Sequence, residues 1–124
     1  MIVESLHHTA LLVTDLEKAK DFYGRVLGLK EIARPPFNFP GAWYQVGDSQ
    51  IHLIVYPEKA PKERRIDPKN AHLALRVDDL HKAAARLAAE GVEHVASPNS
   101  IAGWPQIFCV DPDGNVIELN AASL

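Results

Sequence analysis

The sequence predicts an α+β protein made of two repeated βαβββ modules. The first observation is an internal repeat, because the segment HTALLVTDL from His8 returns as HLALRVDDL from His72. The second is that each half has one helical pattern followed by three strand patterns. The third is that the last strand of each half has a matching motif, QIHL and then VIEL. Because a long repeat usually sets the architecture, one domain is expected over residues 1–124, with modules at about residues 1–57 and 70–122.

The first module begins with a predicted strand in SLHHTALLV and continues into a helix over TDLEKAKDFYGRVLG. Thr14 and Glu17 have capping-box spacing, which predicts that Thr14 is the N-cap. Apolar residues then recur at helical spacing, and Gly28 is placed to end the helix. Three strands follow in LKEIAR, AWYQV and SQIHLIVY, of which the last two form a hairpin at Gly47 and Asp48.

The second module follows a polar, charged and proline-containing linker, PEKAPKERRIDPKN. A strand in AHLALRV precedes a helix in DDLHKAAARLAAEG, which is predicted to be capped by Asp78 and closed by Gly91. Strands are predicted in VEHVA, WPQIFCV and NVIEL, and the last two are joined by the turn sequence Asp-Pro-Asp-Gly.

Composition excludes several classes of function. The chain has 124 residues, 47% hydrophobic and 23% charged, with a net charge of −3, so nothing in its charge favours nucleic acid or an anionic membrane. The single cysteine, Cys109, rules out an internal disulfide and is compatible with the cytoplasm, where the protein is expected. The N-terminal sequence has the features of neither a signal peptide nor a membrane span.

Four polar residues interrupt apolar strand segments at equivalent positions of the repeat. His8 aligns with His72 in the first strand of each module, and His52 aligns with Glu118 in the last strand. Glu118 stands between Ile117 and Leu119 in a predicted strand, on the face opposite to both. It either faces solvent there or is buried and needs a partner. Each of the four is a residue type that binds first-row transition metals. The repeat therefore predicts that all four bind one divalent metal.

The chain resembles the vicinal oxygen chelate superfamily, which contains glyoxalases, bleomycin resistance proteins and extradiol dioxygenases. The motifs HTALLVTDLEKAKDFYGRVLGL, AHLALRVDDL and DPDGNVIEL carry this resemblance and span both halves. The resemblance implies a cupped mixed sheet around a divalent metal, which is Zn, Ni, Mn, Co or Fe in this prediction. It also implies that His8, His72 and Glu118 are metal ligands and that His52 stands at the fourth ligand position.

The resemblance favours a metal-dependent lyase or isomerase of glyoxalase type that acts on a small oxygenated substrate chelating the metal. Dependence on glutathione is not expected. Leu12 stands where bacterial glyoxalase I has a glutathione-binding Arg, and VYPEKAP stands where it has Asn-Trp-Gly. His52 also replaces a Glu, which leaves Glu118 as the only carboxylate among the four and as the predicted catalytic base.

Two other functions remain open at this point. An extradiol dioxygenase would use iron on the triad His8, His72 and Glu118, although His52 as a fourth ligand argues against it. A drug-binding or resistance protein is the other alternative, and metal ligands disfavour pure sequestration.

The expected partners are a small-molecule substrate and a second copy of the chain in a homodimer, with no nucleic acid and no membrane. Side chains predicted to line the substrate site are the following: Arg76, Trp43, Phe37 and Trp104.

Overall fold

The computed structural model describes residues 1–124 and contains two compact units, Met1–Pro61 and Lys62–Leu124. Each unit has the element order βαβββ, so the predicted α+β repeat is confirmed. Each unit also forms its own four-stranded mixed sheet. No helix is both long enough and apolar enough to cross a membrane.

The first unit contains a sheet with the strand order β1-β4-β3-β2. Strands β1 and β4 run parallel, and the other neighbours are antiparallel. Its elements are β1 (His8–Val13), helix α1 (Leu16–Lys20) with a π-helical continuation (Asp21–Val26), β2 (Lys30–Ile32), β3 (Gly41–Val46) and β4 (Ser49–Val55).

The second unit repeats this plan with the strand order β5-β8-β7-β6, in which β5 and β8 are parallel. Its elements are β5 (His72–Arg76), helix α2 (Leu80–Ala89), β6 (His94–Ser97), β7 (Gln106–Val110) and β8 (Val116–Asn120). The linker predicted between the modules contains no helix or strand.

Both helices begin one residue later than the sequence predicted. The N-caps are Asp15 and Asp79, whose side chains accept the backbone N–H of Lys18 and Lys82, each at 3.1 Å. The predicted N-cap Thr14 was therefore wrong, as was Asp78. A hydroxyl or carboxylate suits this role in either position, and only the extended backbone of Asp15 and Asp79 decides between them.

The π-helical continuation was not predicted. There the backbone N–H of Leu27 bonds to the Phe22 carbonyl at 2.9 Å, five residues back. The wider turn buries Phe22, Tyr23 and Val26. Gly28 then ends the segment with φ of 77°, and Gly91 ends α2 with φ of 68°, as their positions predicted.

Alternation along the strands sends one set of side chains towards the helix of the unit. In the first unit this set includes Tyr44, Ile51 and Leu53, which are at most 2% exposed, and Tyr44 lies beside Tyr23 of the helix with ring centroids 6.5 Å apart. In the second unit Ile107 and Ile117 occupy the corresponding places. The opposite face of each sheet therefore holds the polar strand residues.

Cys109 is fully buried in β7, and burial, with the nearby Asp111 carboxylate, raises the pKa of its thiol to about 12. We expect a thiol reagent at pH 8 to label the folded protein far more slowly than free cysteine, because the thiolate is the reactive form. As urea is added, the labelling rate should rise in step with the fraction of unfolded protein. The folded pKa of Cys109 lies above the unfolded value of 9.0. The stability that the neutral, buried thiol contributes is therefore complete below pH 9 and declines as the pH rises towards 12. Rapid labelling without urea would contradict this.

Candidate metal centre

In the first unit, His8 and His52 lie on neighbouring strands and stack their rings. The centroids are 4.1 Å apart and the planes are 16° apart. Trp43, which is paired with His52 across β3 and β4, stacks on it at 4.0 Å with planes 4° apart. His52 thus lies in a three-ring stack and is only 7% exposed.

The surroundings of His52 favour its neutral form. Burial lowers its pKa, and the nearby positive charges of His8, His7 and Arg34 lower it further. Its Nε2 lies 2.8 Å from the carboxamide oxygen of Gln50, to which it donates. A neutral imidazole is the form that binds metals, so this environment suits a ligand once the Gln50 carboxamide turns aside.

In the second unit, His72 lies beside Glu118. His72 Nδ1 is 2.7 Å from the carbonyl oxygen of Asn70, which only accepts, so Nδ1 carries the hydrogen. The lone pair of a neutral His72 is then on Nε2, which is 3.2 Å from Glu118 Oε1. Two acceptors facing each other at this distance need a cation between them, either a proton or a metal ion.

Glu118 is 4% exposed and is surrounded by donors. Its Oε2 accepts from Asn120 Nδ2 at 2.7 Å and from Trp104 Nε1 at 3.2 Å. Burial raises the pKa of Glu118, but hydrogen bonds from Asn120, Trp104 and Gln106, and from His72 when its Nε2 carries a proton, outweigh burial and bring the pKa below its usual value. A buried carboxylate is therefore kept ionised in the middle of β8.

The register of the strands shows that the two pairs are structurally equivalent. In the parallel ladder of the first unit His52 lies opposite Ala10, two residues after His8. In the second unit Glu118 lies opposite Ala74, two residues after His72. Neither unit by itself holds three His, Cys, Asp or Glu side chains grouped to bind a metal, and each holds one of the predicted pairs.

The pair in the second unit fits a transition metal. Ligands at about 2.1 Å from a metal, at right angles to each other, lie about 3.0 Å apart. The His72–Glu118 separation of 3.2 Å is close to this value. The bond from His72 Nδ1 to a backbone carbonyl is also the usual way in which a metal-binding histidine is oriented.

A family model identifies the chain. The model described as the Glyoxalase/Bleomycin resistance protein/Dioxygenase superfamily matches residues 5–119. The protein belongs to this superfamily. The resemblance inferred from the sequence motifs is thereby confirmed.

Relatives within the superfamily differ in what they do. The chain is 36% identical to a lactoylglutathione lyase from Neisseria meningitidis, over 91% of this chain and 87% of that protein. Among solved structures, a glyoxalase-family protein from Bacillus anthracis has a TM-score of 0.84 at 25% identity, covering 98% of this chain and 97% of that one. TnmS3, an antibiotic-binding protein from Streptomyces sp. CB03234, has a TM-score of 0.76 at 34% identity, covering 99% of both chains.

The predicted substrate-binding residues lie near the two pairs, His8 with His52 and His72 with Glu118, each within its own unit. Trp104 donates to Glu118, and Arg76 reaches the same carboxylate through Asn120, whose Oδ1 accepts from Arg76 Nε at 2.7 Å. Trp43 covers His52, and Phe37 lies 6.1 Å from Trp43 between ring centroids.

Several polar residues of the site were missed in the sequence. Alternation along the last strand already places Asn120 on the face of Glu118, but its role was not foreseen. Gln106 joins this face only once β7 and β8 are paired. Gln50 has the same relation to His52. His7 contacts His8 through their Nδ1 atoms, 2.8 Å apart, although strand alternation would have turned it away; β1 begins only at His8.

Proposed function

We propose that the protein is a metal-dependent lyase or isomerase of glyoxalase type that acts on a small oxygenated substrate without glutathione. The observation that carries this proposal is the His72–Glu118 pair, in which His72 Nε2 lies 3.2 Å from an oxygen of a buried carboxylate. The similarity to a lactoylglutathione lyase supports the glyoxalase type. In this proposal the metal is held by His8, His52, His72 and Glu118.

The bound metal would supply Lewis acidity towards an oxygen of the substrate. Glu118 is the only carboxylate among the four residues and is proposed to accept the proton from the adjacent substrate carbon. Asn120 and Trp104 both donate to Oε2, which fixes the orientation of the carboxylate and leaves Oε1 towards His72. Its low pKa ensures that Glu118 is ionised at neutral pH, while it limits how strongly the carboxylate attracts a proton.

The aromatic residues are proposed to bind and shield the substrate. Trp43 stacks on one face of His52, which is only 7% exposed to solvent. Because little water reaches the ring, electrostatic interactions there are stronger. Phe37 lies next to Trp43 and, at 47% exposed, extends this apolar surface towards solvent.

Independence from glutathione is the part of the proposal that differs from the lyase relatives. The side chain of Leu12 is a hydrocarbon and cannot pair with a carboxylate of glutathione. We expect methylglyoxal with glutathione to turn over with kcat/KM well below the range of about 10⁴–10⁸ M⁻¹s⁻¹ that is typical of enzymes on their own substrates. A steady-state assay of metal-loaded protein checks this, with a known glyoxalase I as the positive control. Turnover near the top of that range would contradict it.

Elemental analysis tests the proposed metal centre. Protein purified without added metal should contain one divalent metal for each set of the four residues, which is one metal per chain. It should then be assayed against α-ketoaldehydes, catechols and hydroxy acids. Ring cleavage of a catechol would instead support the dioxygenase alternative, which the fourth residue His52 disfavours.

A second candidate is a small-molecule binding protein. The observation in its favour is the identity of 34% with an antibiotic-binding protein over 99% of both chains. Tight binding of a ligand by metal-free protein, with no turnover of any assayed substrate, would favour this candidate.

We also propose that the protein is a homodimer, as the resemblance to two-module members of the superfamily implies. Light scattering coupled to gel filtration should give about twice the chain mass of 13.7 kDa at micromolar concentration. A value equal to the chain mass would contradict this expectation.

A further inference from the structure

The first unit contains an open cavity of about 500 Å³ beside the segment that joins β2 to β3. Its lining includes Arg34, Phe37, Phe39 and Pro40 from this segment and Leu16 from the start of α1. We call it the Arg34 cavity. The proposed function uses Phe37 of this lining but gives no role to Arg34.

The guanidinium group of Arg34 is held by aromatic rings and a backbone carbonyl, with no acidic side chain paired to it. Arg34 Cζ lies 4.9 Å and 5.0 Å from the ring centroids of Phe37 and Phe39, whose rings stack on each other at 5.2 Å. Its Nη2 donates to the Phe39 carbonyl oxygen at 2.8 Å. The ion pairs of the structure do not include Arg34.

Part of the Arg34 hydrogen-bonding capacity is unused. Its Nε is buried and has no hydrogen-bond partner. A guanidinium has five N–H donors, and one carbonyl uses only one of them. A buried donor without a partner lowers the stability of the fold, so Arg34 is kept in this position at a cost.

Gly41 packs closely against Arg34 and against the backbone carbonyl of Leu53, which is the nearest atom to where a Cβ would lie. A Cβ at Gly41 would lie 2.9 Å from Arg34 Nη2 and 3.0 Å from Nε, closer than side-chain carbons normally approach. The backbone at Gly41 and the two phenylalanine rings together hold the guanidinium in one place. A group held in this way loses little entropy when it binds a ligand.

One ring of the cavity lining, Phe37, lies beside the aromatic stack on His52. Phe37 is 6.1 Å from Trp43, and Trp43 stacks on His52 at 4.0 Å, measured between ring centroids. Phe37 and Phe39 remain 47% and 37% exposed. A fixed cation beside exposed aromatic faces matches a small molecule that has an anionic group on an apolar body.

We propose that the Arg34 cavity binds the carboxylate of the substrate and that the substrates are small carboxylic acids with an apolar body. The word substrate rests on the proposed function, but the binding of the carboxylate to Arg34 needs no metal. Arg34 is then a residue that determines specificity, because its planar fork of N–H donors pairs with both oxygens of a carboxylate.

The proposal is tested with benzoate and its neutral analogue benzamide as probes. Binding to the full-length protein is measured by calorimetric titration, first as purified and then in EDTA. We expect wild type to bind benzoate at least about tenfold more tightly than benzamide in both conditions. Arg34→Gln should lose this preference and keep its benzamide affinity, and Arg34→Lys should fall between the two.

Lys30→Gln is the matched control, since Lys30 is exposed on β2 and its substitution removes the same charge. It should bind benzoate like wild type. Equal affinity for the two probes, wild-type benzoate binding by Arg34→Gln, or no saturable benzoate binding below about 10 mM would overturn the proposal. A preference seen only without EDTA would also overturn it, because the carboxylate would then be binding a metal. Failure of the metal centre would leave benzoate binding in EDTA unchanged, so the two proposals fail separately.

Discussion

The double variant His8→Ala/His72→Ala should lose its bound metal and, with it, the stabilisation that the metal provides. A ligand that binds only the folded state stabilises it by about 2.7 kcal/mol when present at a hundred times its dissociation constant. We therefore expect EDTA to lower the melting temperature of wild type and to leave that of the variant unchanged. Elemental analysis and thermal unfolding, each with and without EDTA, measure the two effects.

The matched control is His81→Ala/His94→Ala. His94 Nδ1 bonds to the Val92 carbonyl at 3.0 Å, just as His72 Nδ1 bonds to that of Asn70 at 2.7 Å, so each double variant loses one such bond. The control should retain metal and still respond to EDTA. Stoichiometric metal in the His8→Ala/His72→Ala variant would refute the proposed ligands.

Glu118→Gln should reduce turnover by roughly a hundred- to ten-thousandfold, which is the usual contribution of a general base. The reason is that an amide can neither accept the proton nor supply the negative charge. Its oxygen can still accept from Asn120 and Trp104, and its NH₂ can donate to the lone pair on His72 Nε2. The fold should therefore be nearly as stable as wild type. Turnover of whichever substrate the assay panel identifies is measured at saturating metal, beside urea unfolding.

Glu93→Gln is the control for this variant, because Glu93 is exposed and carries the same charge. Its turnover should equal that of wild type. Wild-type turnover by metal-loaded Glu118→Gln would remove Glu118 from the chemistry. A large loss of stability with little loss of turnover per folded molecule would give it a structural role instead.

Much of the fold followed from local pattern. The repeat predicted the βαβββ order of both units, because helical and strand periodicities are visible within short windows. Details that depend on the path of the backbone did not follow. The N-cap at Asp15 rather than Thr14 and the π-helical turn that buries Phe22 and Tyr23 each depend on geometry that neighbouring residue types leave open.

By itself the sequence determined which residues are equivalent, His8 with His72 and His52 with Glu118, because alternation and repeat alignment are properties of the chain order. Only the tertiary structure decided what surrounds them. The pairing of β7 with β8 placed Gln106 beside Glu118, and a loop outside the sheet supplied Trp104. Arg34 was invisible in the sequence for the same physical reason. Its partners are two ring faces, a backbone carbonyl and the space left by a glycine, and none of these is a charge or a motif.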